Sequence, residues 1–339
     1  DWFHFIWDRT RGIRKDITQQ ELCTPISVEL LEQCVRFHIH CSGRLIAEDP
    51  SVFDQKINDE NLTKSLQTLK YMYDDLKVRN IKCPNEAEFR AYVILLNLNE
   101  SGNFLWEIKR LEKDILNSQE IRFALEVYFA VSLSNYVKFF NLVREASYMN
   151  ACILLRYFTQ IRLKALFTII RSYISRRGQG LNFSISYLTE ILAFEDDDAA
   201  VNFLAYHRAT CDKESDNVNL DSRTFGSAET PFQMERSLEI VESKMEGSVA
   251  EAICGSSLPD PECFLKITPH SSFDNRGFLK KEAFYAEDQN GPVKGFKVPM
   301  ESPPVSPGRS SYQKPKIDQP DSAFGKNPFG GNFSQIKQP

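Results

Sequence analysis

The residues best suited to chemistry in the first part of the chain are Cys34, His38, His40 and Cys41. Cys34, His38 and Cys41 stand at i, i+4 and i+7, one face of a helix, where thiolates and imidazoles could converge on a transition metal. A structural zinc site needs about four ligands, and a single helix face supplies three at most. Phe37 and Ile39 interleave the set, and cysteine is among the most often buried residue types, so core packing is expected and no metal or cofactor is assigned. Covalent and phosphate-cradling chemistry lacks a carrier. No G-x-S-x-G, H-E-x-x-H, P-loop or G-x-G-x-x-G pattern is present, Gly178-Gln179-Gly180 reads only as a turn, and the five histidines are scattered. The chain is therefore expected not to be an enzyme.

The other chemical signal is electrostatic. From Ala146 to Thr189 the sequence holds no Asp or Glu but carries Arg156, Arg162, Lys164, Arg171, Arg176 and Arg177, in a chain of net charge −5. Cations without neighbouring acids to cancel their field can hold phosphates, which makes Arg156, Lys164, Arg171, Arg176 and Arg177 the candidate nucleic-acid-binding residues. Lys164 and Arg171 share a helix face at i, i+7 beside Leu166, Ile169, Ile170 and Tyr173. The competing account is that Lys and Arg simply favour helix C-termini and solvated faces.

These residues must be positioned by helices. Trp2, Ile6, Ile13 and Ile17 fall at near-helical spacing among Arg9, Arg11, Arg14 and Lys15, with a break or bend expected near Gly12. Thr24-Pro25 opens a helix through Val28, Leu31, Val35 and Ile39 that is expected to reach Ala47, with a weak point at Ser42-Gly43. Leu62, Leu66, Leu69, Tyr73 and Leu76 mark a third helix over 58–80, and Asn85 with Glu88 reads as a capping box before Phe89 and Tyr92. The same texture continues past Val143. The expected architecture is mainly α: a TPR-like stack of helical hairpins over 1–180 with no strict repeat consensus, followed by a winged helix over 181–230, an order that resembles the PCI type.

Within 181–230, Phe183 to Ser186 is strand-like, Tyr187 to Phe194 a short helix, and Asp196 to Asp198 open another that buries Val201, Phe203 and Leu204. A two-stranded wing is expected around Ala209 to Phe225, turning at Ser215 to Asn217. A helix-turn-helix reader meets base edges with the start of its second helix, and here that start is Glu195 to Asp198, which repels phosphate. The winged unit is accordingly expected to dock a protein, with Leu188, Phe194 and Phe203 in its core and wing residues Leu220, Asp221, Arg223 and Thr224 exposed to the partner.

Thirteen of the 16 prolines lie from Pro231 onward. A docking segment is expected over 231–255 and a largely disordered Pro/Gly/Ser-rich tail over 256–339, which carries Ser302-Pro303, Ser306-Pro307, Phe324-Gly325 and Phe329-Gly330. Eight cysteines without a C-x-x-C pair fit a reducing compartment, cytosol or nucleus. No signal peptide and no apolar run of about 18 residues is present, so a soluble protein without a membrane span is expected. The opening Asp1 suggests a piece of something longer.

Five segments carry a resemblance: Arg9 to Gln19 (RTRGIRKDITQ), Phe37 to Cys41 (FHIHC), Ala87 to Phe89 (AEF), Asn135 to Phe140 (NYVKFF) and Ala146 to Ala151 (ASYMNA). Together they resemble the germinal-centre-associated nuclear protein (GANP) and Sac-three family, over about Trp2 to Phe225, and Arg236 to Gly255 is weakly similar to the segment that follows in animal members. The resemblance implies a scaffold subunit of the TREX-2 complex in mRNA export, located in the nucleus at the nuclear face of the nuclear pore complex. It implies pairing with a PCI-domain subunit, completion by a small acidic proteasome-lid-type subunit, and binding of mRNA or single-stranded nucleic acid. Members often place Phe-Gly segments upstream of the helices, whereas here they lie downstream; through them the resemblance suggests nuclear pore components or an export receptor as further partners. The alternative is a PCI-type interaction scaffold of the proteasome-lid or signalosome sort, without nucleic-acid binding.

Overall fold

The computed structural model describes residues 2–100, 106, 108–173, 181–221, 225–226, 232–265, 271–278 and 280. The described part is mainly helical, as the sequence periodicity requires. Helices α1 (Trp2–Gln19), α2 (Pro25–Arg44), α3 (Gln55–Val78) and α4 (Glu86–Leu96) are followed by the single turn α5 (Lys113–Leu116) and by α6 (Gln119–Ser132), α7 (Tyr136–Glu145), α8 (Tyr148–Leu155) and α9 (Phe158–Tyr173). Many of the starts are fixed by short polar side chains. Thr24 and Ser27 form a reciprocal capping box ahead of α2, while Asp54, Ser118, Asn135 and Ser147 each accept from a backbone amide three residues on.

Two starts and stops differ from the sequence expectation. Helix α1 passes through Gly12 without a break, because Ile6 before it and Ile13 and Ile17 after it are held against buried clusters. Helix α2 ends at Arg44 rather than Ala47, and Gly43 is no weak point: it lies buried where α8 crosses α2.

After α9 come β1 (Leu181–Ser184), α10 (Ile185–Ile191), α11 (Asp197–Tyr206), β2 (Thr210–Asp212) and β3 (Asn217–Leu220). The three strands form an antiparallel sheet in the order β1-β3-β2, with Leu181 opposite Leu220 and Val218 paired with both Phe183 and Cys211. Strand, helix, helix and hairpin follow one another in the order expected from the sequence. Period-two alternation turns Val218 and Leu220 inward, and they join Ile185, Leu188, Phe194 and Phe203 beneath the sheet. One continuous core runs from α1 to this unit, and a small satellite of Phe37, Cys41 and Phe53 lies under Phe3, Ile6 and Trp7.

Residues 1–265 form one compact unit. Its last part holds a 3₁₀ turn at Glu242–Lys244 and the helices α12 (Val249–Cys254) and α13 (Pro261–Leu265). Arg36 of α2 donates to Cys254 O at 3.3 Å, and Val241 is buried, so this stretch is fastened to the helical array. The second unit begins at Lys266, and within it Asp274 N and Phe278 O close a turn at 2.8 Å. The Ser-Pro and Phe-Gly pairs noted above lie outside the described residues, and no described helix is long and apolar enough to cross a membrane.

Candidate nucleic-acid interface

Helix α9 is seated by Phe158, Ile161, Ala165, Leu166, Ile169 and Ile170, all buried at the helical period. That leaves Lys164, Thr168 and Arg171 on the outward face. The Thr168 hydroxyl donates to Lys164 O and the Ser172 hydroxyl to Thr168 O, both at 2.8 Å, so the intervening polar groups are turned back on their own helix. Lys164 and Arg171 are exposed and form no ion pair among the described residues. Among the described residues they are the part of the basic run whose charge faces solvent without an ion-pair partner.

The run's lack of acids in sequence does not hold in space. Arg156 places Nη2 2.5 Å from Asp59 of α3, a partner nearly a hundred residues earlier in the chain, and both side chains are only partly exposed. Arg162 is turned inward altogether. Its guanidinium stands over the rings of Phe194, Phe158 and Phe140 at 4.0, 5.0 and 5.8 Å, and it donates to the carbonyls of Leu192, at 3.0 Å, and Ala193. Burial lowers its pKa to about 9, with Glu195 and Glu235 pulling the other way, so it remains a cation at neutral pH. Arg176 and Arg177 lie outside the described residues.

Aromatic side chains that the charge pattern alone did not single out accompany the exposed cations. Tyr173 and Tyr187 are exposed, and the Tyr173 ring meets Phe183 edge-on with centroids 5.6 Å apart. Burial first, then the nearby Tyr187 and Tyr173 phenols, raise the pKa of Tyr136, and Tyr136 and Lys164 line the same small groove between α7 and α9. The signal was present in the acid-free run, where Tyr173 stands between Arg171 and Arg176 and Tyr187 follows Arg177. Charged residues with exposed rings suit a single strand, whose bases stack while its phosphates meet cations.

The acidic stretch at the start of α11 is used internally. Asp196 caps the helix by accepting from Ala199 N at 2.7 Å, Asp197 accepts from the Thr189 hydroxyl at 2.6 Å, and Asp198 pairs with Lys213. Glu195 accepts from Glu239 N at 2.6 Å and from the Ser237 hydroxyl, which pins residues 237–240 to the unit.

On the wing, one expectation is corrected. Leu220 is 1% exposed, because β3 is the central strand and its even-numbered residues face the core. It cannot present its side chain to a partner in the folded unit. Asp221 is half-buried, and Arg223 and Thr224 lie outside the described residues.

The Cys34, His38 and Cys41 face is packed rather than convergent. Asn58 donates Nδ2 to His38 O at 3.0 Å, so its Oδ1 accepts and His38 Nδ1 carries the proton of their 2.8 Å bond. His40 bonds Tyr148 at 2.8 Å through Nδ1, and burial lowers both histidines to about 4.

Comparison with known sequences follows the same lines. The SAC3/GANP family profile matches residues 1–213. Protein xmas of Drosophila melanogaster is 42% identical over 342 residues, which cover all of this chain and 16% of that protein. SAC3 family protein B of Arabidopsis thaliana is 33% identical over 220 residues, covering 60% of this chain and 12% of that protein. SAC3 family protein 1 of Schizosaccharomyces pombe is 28% identical over 364 residues, covering 99% of this chain and 34% of that protein. The chain thus spans about a third of these relatives' length or less, and on the extent of the profile match and of the 42% identity it belongs to the SAC3/GANP family.

Proposed function

We propose that this region is a non-enzymatic scaffold of nuclear mRNA export, acting within a TREX-2 type complex at the nuclear face of the nuclear pore. In this reading the unit from α9 to β3 is a winged helix of PCI type that lies beside the winged helix of a PCI-domain subunit, and a small acidic proteasome-lid-type subunit completes the assembly. Lys164 and Arg171, continued by Arg176 and Arg177 and flanked by Arg156, hold the phosphates of mRNA or another single strand without reading its sequence. The tail beyond 265 reaches nuclear pore components or an export receptor. Membership of the SAC3/GANP family supports the scaffold role.

The observation that carries the nucleic-acid part is that Lys164 and Arg171 are exposed and without an ion pair among the described residues, at the entrance to the winged unit, while Arg162 beneath them is consumed by packing. The acids of 195–198 leave no such role to α11. The partner contact would then use Asp221, Arg223, Thr224 and the hairpin tip beyond Asp212, with Leu220 supporting the wing from inside.

The test is RNA binding by the assembled complex in graded salt. Each lost phosphate contact removes about 0.7 from the slope of log K against log salt for a single strand, so K164E/R171E should flatten it by roughly 1.4 and weaken binding, with partner capture retained. Unchanged RNA affinity overturns the nucleic-acid assignment. A protein-only PCI scaffold would then stand, a reading favoured by the exposed Phe129, Leu133 and Val137 around the α6–α7 corner.

A further inference from the structure

A second basic site lies in the groove between α1 and α3. Arg11, Arg14 and Lys15 occupy one helical face of α1, and Asn61 and Lys64 occupy the facing side of α3, with Leu31 beneath. Together they enclose about 360 Å³.

Arg14 is the unusual member. It is half-buried and, among the described residues, its side chain bonds Asn61 alone, through Nη1 to Oδ1 at 3.1 Å and to the backbone oxygen at 3.4 Å. Its Nε is shielded from solvent and donates to nothing among the described residues. Burial lowers its pKa, the nearby Cys34 opposes this, and Arg11 lowers it further. Among the described residues no carboxylate forms an ion pair with it. A guanidinium taken out of water normally finds an anion, since the desolvation of an unpaired charge is costly. Here it has a second guanidinium instead. Among the described residues Lys64 pairs only with Glu60, 3.7 Å away in an exposed i, i+4 pair of little energetic weight.

We propose that this groove is a binding site for a phosphate group, held by Arg14 at its base and by Arg11, Lys15 and Lys64 at its rim. Four cations converge on one small volume, which is more positive charge than a single carboxylate can neutralise. Guanidinium groups also match the tetrahedral oxygens of phosphate with paired donors. The site is separate from the α9 face and does not depend on the function proposed for it.

The full chain is tested by thermal unfolding with inorganic pyrophosphate, against sodium chloride of equal ionic strength. Saturation should raise Tm by roughly 5 °C or more, and R11A/K15A should lose that rise. Both substituted residues are exposed, so the variant is expected to melt like the parent without ligand. Arg14→Lys, which keeps the charge but not the planar fork, should weaken the rise. An oligouridylate without terminal phosphate, tested on the same variants, separates the sources: stabilisation equal to that by pyrophosphate assigns a backbone phosphate, and stabilisation by pyrophosphate alone assigns a free or terminal one. The proposal is overturned if pyrophosphate gives no rise, if R11A/K15A retains it in full, or if a short polyglutamate peptide produces the same variant-sensitive rise.

Discussion

The guanidinium carbon of Arg162 lies 4.0 Å from the centre of the Phe194 ring, and the same group donates to the carbonyls of Leu192 and Ala193. One α9 side chain therefore closes the end of α10 and packs its following aromatic against Phe158 and Phe140 of the array. A desolvated cation–π contact contributes about 2 kcal/mol, and each carbonyl left without a donor costs about 1 to 3 kcal/mol. Arg162→Met, which keeps the apolar stem, should destabilise the chain by about 3 kcal/mol in urea unfolding. Arg162→Lys should recover only part, because an ammonium cannot span both carbonyls in one plane. A loss below about 1 kcal/mol for the Met variant would show that this contact does not join the two parts.

His38 and His40 make stability depend on pH. Burial is the main cause lowering each to about 4, against an ordinary 6.5; the Asn58 bond opposes it at His38, and Arg44 reinforces it at His40. Between pH 6.5 and 4 the unfolded chain binds more protons than the folded one. The stability is complete above about 6.5 and is lost as pH falls through that window, by up to about 3 kcal/mol per histidine. Glu32 acts in the opposite direction, because burial raises its pKa and protonation suits the folded state. Urea midpoints measured across pH 7 to 4.5 should fall steeply for the parent and much less for H38Q/H40Q. Parallel curves for the two proteins would contradict buried neutral imidazoles.

Much of the fold was legible because it is amphipathic at one period, and the stop and start signals are local. Thr24-Pro25 capped α2 as their types require, and a turn separates the wing strands near the expected place, at 213–216, with Asn217 already in β3. Long-range partners were not legible. Asn85 and Glu88 have the spacing of a capping box, yet the Asn85 amide donates to Glu32 at 2.8 Å and Glu88 receives Arg36 at 2.7 Å, because two buried charges on α2 outcompete a local cap. Arg156 read as a solvent cation until Asp59 came beside it from another helix. Leu220 has the same sequence setting whether a strand is central or at an edge, and only the β1-β3-β2 order decides which. For the candidate site, charge located the helix but could not separate its outward from its inward cations.

Gly43 shows how a close approach sets a residue choice. A Cβ there would stand 2.8 Å from Cys152 Sγ on α8. Gly→Ala inside a helix should gain about 1 kcal/mol from propensity, while overpacking costs about 1 to 3 kcal/mol. Overpacking wins, so Gly43→Ala should lower stability by about 1 kcal/mol instead of raising it. Adding Cys152→Ala removes the nearest atom and should restore part of the loss, a coupling that a double-mutant cycle reads directly. Stabilisation by Gly43→Ala alone would mean that α2 and α8 do not meet this closely.

Leu220 tests the wing. It is fully enclosed by the sheet and its core, opposite Leu181, so a carboxylate at this place is cut off from water. Leu220→Glu should cost about 3 kcal/mol or more and open the three-stranded unit locally, with amides of Phe183 and Val218 losing hydrogen-exchange protection while α2 and α3 keep theirs. Leu220→Met conserves volume and should cost under about 1.5 kcal/mol, leaving protection intact. Partner capture in pull-down should then follow the fold, lost with Glu and kept with Met. Had Leu220 been a surface contact, the Glu variant would retain full protection and lose only the partner.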